Sequence, residues 1–142
     1  MAFMAGALTM NTLIKNVPIA KVGKILDGRE ITRQMIERCR DTFDLNYYQP
    51  PVGEFSGDPM VSIAIHNQGK VLSLSVDNDT LFADIEMFMP PKTVRKMKLY
   101  PTIAYTEGGN IKTPALMNVI LAEIPNRADN IAIKDCDICE AA

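Results

Sequence analysis

Residues 72–87 read LSLSVDNDTLFADIEM, and this stretch decides the fold class. Leu72, Leu74 and Val76 alternate with polar residues, and Leu81, Ala83, Ile85 and Met87 do the same. Period-two alternation puts each set on one face of a strand. Between them, Asp77-Asn78-Asp79 reads as a turn, because Asp and Asn tolerate unusual backbone angles and bond their own main chain. Upstream, Val61, Ile63 and Ile65 repeat the pattern, with Asn67-Gln68-Gly69 as the connecting turn.

The same logic extends outward. Residues 49–59 (QPPVGEFSGDP) are rich in Pro and Gly and form an irregular loop. Residues 17–25 (VPIAKVGKI) read as a first strand, with Pro18 near its start where a missing N–H is tolerated. After a turn at Asp27-Gly28, Thr32 caps a helix running to about Phe43, with Met35, Ile36, Cys39 and Phe43 on one apolar stripe. Pro90-Pro91 open a short helix through about Lys98. Residues 100–106 form another strand, and residues 116–124 (LMNVILAEI) are apolar on both faces, as a central strand is. The polar tail from Pro125 wraps the surface. These elements predict an α+β, strand-dominated domain: a closed or partly closed antiparallel β-barrel with flanking helices. Residues 1–16 read as an N-terminal arm, 17–130 as the barrel and 131–142 as a C-terminal tail.

Composition narrows the function classes. With 142 residues the chain suits one domain. A net charge of −2 and a pI near 5.4 give no electrostatic reason to expect nucleic acid as a partner. No stretch reaches the roughly 18 apolar residues of a membrane helix, and residues 1–9 (MAFMAGALT) are too short and lack the basic flank of a signal peptide. A soluble protein made in the cytoplasm is expected. Cys39 lies on the apolar stripe of the first helix and reads as a buried small hydrophobe. Cys136 and Cys139 form a lone C-x-x-C without the further ligands of a zinc site or the βαβ context of a redox motif. No metal or cofactor is expected. Cys136 and Cys139 are candidates for a disulfide to a neighbouring chain under oxidising conditions.

Three stretches carry a family resemblance. Residues 27–32 (DGREIT), followed by Thr42-Phe43-Asp44 and Tyr48, are the first. Residues 81–85 (LFADI) are the second, and Tyr100-Pro101-Thr102-Ile103 with residues 116–125 (LMNVILAEIP) the third. Together they resemble the protease domain of the tailed-phage capsid scaffolding and head-maturation serine proteases, which are assemblin-like in fold. The resemblance implies a triad whose acid is Asp27, whose histidine position, after Glu54, is Phe55, and whose serine position is Thr102. Phenylalanine has no proton-accepting atom, and a threonine nucleophile needs a base. The only histidine, His66, is the one rescue candidate, but strand alternation turns it away from the face of Ile63 and Ile65. With nothing to orient, Asp27 reads as a turn residue.

The resemblance therefore implies a non-catalytic head-protease-like domain: a phage virion structural protein that binds the capsid as decoration or minor head component. The alternative is a scaffolding or maturation protease domain with a divergent active site. Implied partners are the major capsid protein and sister subunits in an oligomeric assembly, and the implied location is the virion, assembled in the host cytoplasm. Asp27, Phe55 and Thr102 should lie close together with His66 elsewhere. The arm and the tail should contact neighbouring subunits.

Overall fold

A computed structural model describes residues 11–25, 28–54, 67–107, 114–122 and 130–140. In chain order its elements are β1 (Thr12–Lys21), β2 (Gly23–Lys24), β3 (Glu30–Ile31), α1 (Arg33–Asp41), β4 (Pro51–Glu54), β5 (Asn67–Asp77), β6 (Thr80–Met87), α2 (Pro91–Val94), β7 (Tyr100–Tyr105), β8 (Leu116–Ala122), a 3-10 turn at Ile133–Asp135 and β9 (Asp137–Glu140). Seven strands form one sheet in the order β7-β8-β4-β5-β6-β1-β9, and β2 and β3 form a separate small ladder.

The β5–β6 hairpin is the centre of the sheet. Leu81, Ala83, Ile85 and Met87 are all buried while the residues between them are not, as the alternation requires. Asn78 makes the turn with φ of 56°, a left-handed conformation that asparagine tolerates. Strand β5 departs from simple alternation. A bulge between Val71 and Ser73 inserts an extra residue, so Val71 is fully buried and the half-buried Leu74 and Val76 pack on the same core. The turn expected at residues 67–69 is instead the start of β5, and Gly69 pairs with Met87. A side chain at Gly69 would run into the Glu86 carbonyl oxygen, so glycine is there for close approach rather than for turning. The strand expected over Val61, Ile63 and Ile65 lies outside the described residues.

Strand β1 starts at Thr12, five residues before the expected first strand, so part of the supposed arm belongs to the sheet. The physical reason is Asn16. It adopts φ of 57°, its N–H donates to an Asp84 carboxylate oxygen at 2.9 Å, and the register shifts between Ile14 and Val17. That bulge lets both Ile14 and Val17 face the core, at a spacing that period-two reading rejects.

The sheet curls into a half-barrel and does not close. Strand β7 approaches β1 but makes no ladder with it among the described residues. β1 already pairs with β6 on one side and, over Thr12–Lys15, with β9 on the other. Nor is the sheet wholly antiparallel, because β4 runs parallel to β8, with Val52 opposite Val119. The tail is likewise more than a surface wrap. Ile133 is fully buried, its N–H donates to the Leu99 carbonyl at 2.8 Å, and β9 adds an edge strand.

Helix α1 begins as its sequence dictates. The Thr32 hydroxyl accepts from the Met35 N–H at 3.2 Å, and Ile36 and Cys39 are buried against the sheet. Helix α2 spans only Pro91–Val94, shorter than expected. From Lys96 onward the turn tightens to i→i+3 bonding, Lys96 to Thr93 and Met97 to Val94, before the chain leaves for β7.

Candidate functional site

The turn between β2 and β3, the start of α1 and strand β7 enclose the site. The chain leaves β2, reverses at Gly28 (φ 96°) and is stapled by two backbone bonds, Ile25 N–H to Arg29 O at 2.9 Å and Gly28 N–H to Ile25 O at 3.0 Å. Only glycine adopts that backbone without strain. This turn and the first turn of α1 form one wall of a cavity of about 350 Å3, through Ile25, Arg29, Glu30, Ile31 and Met35. The other wall is β7, through Thr102, Ile103, Ala104 and Tyr105. The cavity lining mixes apolar and polar surface almost evenly, with Thr102, Tyr105, Arg29 and Glu30 among its residues.

Thr102 therefore borders a cavity together with both flanks of the Asp27 position. Asp27 itself, Phe55 and His66 all fall outside the described residues. The sheet register locates the chain leading to Phe55. Thr102 pairs with Ile120, and Ile120 pairs on its other side with Gly53. Gly53 is thus two strand spacings, roughly 10 Å, from Thr102. The Glu54 that precedes Phe55 closes β4 in the adjacent row, opposite Leu121.

Edge geometry adds detail. The Pro101 carbonyl accepts from Asn130 Nδ2, while the Thr106 N–H donates to Ala115 in the chain entering β8.

Other side chains fasten this site and had no assigned role in the sequence reading. Buried Thr42, just past α1, donates its hydroxyl to the Arg38 carbonyl at 2.6 Å and accepts from the Ala115 N–H at 2.9 Å. The Tyr48 hydroxyl donates to the Met117 carbonyl at 2.6 Å, and burial raises its pKa. Arg38 pairs with Glu107 at 2.9 Å. All three tie the α1 segment to the ends of β7 and β8. Their common signal is a polar residue within a few positions of a helix end.

The cysteines are free thiols. Burial pushes the Cys39 thiol up to about 12, and burial with Asp135 and Asp137 pushes Cys136 up to about 11, so neither is a thiolate at neutral pH. Cys136 and Ile138 pack toward the core, whereas Cys139 is exposed. Extended backbone between positions 136 and 139 spans roughly 10 Å, too far for a disulfide between them. Among the described residues no cluster of three His, Cys, Asp or Glu side chains is placed to hold a metal ion. No helix among them is long and apolar enough to cross a membrane. No protein-family model and no curated protein matches the chain.

Proposed function

We propose that this chain is a phage virion structural protein, a non-catalytic domain of head-protease-like, assemblin-like build that binds the capsid as decoration or minor head component. One observation carries the reading: Thr102 and the turn that brackets Asp27 border the same cavity, the relation a nucleophile strand and an acid-bearing turn need. The strand-dominated half-barrel is compatible with that build. Catalysis is absent from the reading because Phe55 follows Glu54 where a base is required, and a threonine hydroxyl without a base is a poor nucleophile. The major capsid protein and sister subunits are the partners this reading assigns, and the virion is the location.

The test has two arms. Mass spectrometry of purified heads should find the chain, and the purified domain should leave capsid and scaffold proteins uncut. Cleavage that disappears with Thr102→Ala would instead establish a maturation protease with a divergent site. Heads that lack the chain altogether would remove the virion reading.

A further inference from the structure

The turn at α2 concentrates positive charge, and although it packs beside β9, among the described residues no acid of that strand, Asp137 included, forms an ion pair with it. Between residues 87 and 106 the chain has four cations, Lys92, Arg95, Lys96 and Lys98, and no acid. All four are exposed, while Pro91 and Val94 are buried beneath them. Lys92, Arg95 and Lys96 are related by i,i+3 and i,i+4 spacing, so they share one face of the turn. None of the four makes an ion pair or side-chain hydrogen bond among the described residues. Among the described residues Arg33 pairs with Glu37, Arg38 with Glu107, Arg40 with Asp41 and Lys70 with Glu86, while Lys15, Lys24 and Lys134 are exposed single cations; only at α2 do unpaired cations cluster. Like charges at i,i+4 destabilise a helix, so the fold carries a cost here that an anionic partner removes.

We infer that the exposed face of α2 is a docking surface for an acidic segment of a partner protein. Charge distribution favours a compact acidic segment over nucleic acid. With these four cations set aside, all 17 acids face the 11 remaining cations. A duplex carries a charge about every 1.7 Å of its length, so it would overrun a patch one helical turn wide onto a net-acidic surface. A short run of Asp and Glu ends where the patch ends. This inference does not depend on the protease-like reading, since it rests on no residue of the Thr102 cavity.

The experiment measures fluorescence anisotropy of a labelled oligoglutamate peptide, and of a labelled DNA duplex of equal charge, against the full chain. The peptide should bind at about 0.1 M salt and release near 1 M, where the screening length falls from about 10 to 3 Å. Lys92→Glu/Arg95→Glu/Lys96→Glu should weaken it by roughly tenfold or more, because each reversal turns an attraction into a repulsion. Arg33→Gln/Arg40→Gln, which removes paired cations from α1, should leave it within about twofold, as exposed pairs contribute little. Circular dichroism and a thermal melt verify that the variants fold. Tighter binding of the duplex than of the peptide would overturn the assignment in favour of nucleic acid. Absence of binding, or equal weakening by the two sets of variants, would remove the surface altogether.

Discussion

Helix α1 and the turn α2 carry similar numbers of cations, and the chain treats them in opposite ways. On α1, Arg33, Arg38 and Arg40 each meet a carboxylate, Thr32 caps the first turn, and Thr42 joins the last turn to the chain entering β8. Arg38 and Arg40 also lie in the last turn, where the helix dipole favours positive charge. On α2, a single turn, no side chain caps the start, and among the described residues no carboxylate pairs with Lys92, Arg95, Lys96 or Lys98. One helix is completed by its own chain, and the other presents a face that its own chain leaves incomplete. A surface of the first kind is explained by folding, whereas a surface of the second kind asks for a partner.

The contrast breaks most visibly at the buried face of α1. Ile36 is fully buried against the sheet, so Ile36→Ala should cost about 3 kcal/mol through lost burial and a residual cavity. Urea unfolding reads this directly. A loss below about 1 kcal/mol would mean that α1 is loosely attached, and its ion pairs would then report nothing about completion.

Thr42 comes next in size. Thr42→Ala removes the acceptor for the Ala115 N–H and should cost about 1–3 kcal/mol, the range for a buried donor left unsatisfied. Thr42→Ser keeps the hydroxyl and should recover most of that loss. Equal losses for both variants would show that the methyl group, rather than the hydrogen bonds, holds α1 to β8. A smaller effect is expected at the other end, where Thr32→Ala should cost about 1 kcal/mol. Amide exchange should then quicken at Met35 and Ile36 while β6 stays protected.

These elements differ in how far the sequence announces them. Strand β6 is legible because Leu81, Ala83, Ile85 and Met87 keep strict alternation, and α1 because a capping threonine precedes an apolar stripe. Alternation fails as a guide where the backbone inserts a residue. Asn16 hides the first five residues of β1 in this way, and the bulge after Val71 does the same in β5. The parallel pairing of β4 with β8 is invisible locally, since it joins segments far apart in the chain. Ile133 reads as an isolated apolar residue in a polar tail until its N–H is seen bonded to Leu99. For the candidate site, the nucleophile-like position Thr102 and the turn around Asp27 were visible as a resemblance. The Met35 and Tyr105 parts of the cavity were not, because a cavity wall is a tertiary property. The cluster of cations at α2 is hidden by a net charge of −2, which averages over a chain whose charges are segregated.

The smallest expected effect is also the sharpest test of the comparison, because it has an unusual sign. Lys92→Glu should stabilise the protein by about 0.5 kcal/mol. It converts two like-charge spacings into opposite-charge ones with the glutamate N-terminal to Arg95 and Lys96. The mirror change on α1, Glu37→Lys, should destabilise by a similar few tenths, since it replaces the Arg33 ion pair with a repulsion. Both shifts should shrink as salt approaches 1 M. Stability that rises while oligoglutamate binding falls would mark Lys92 as a residue the fold keeps at a cost. A destabilising Lys92→Glu would mean that Lys92 already has a partner within its own chain, and the distinction between the two helices would disappear.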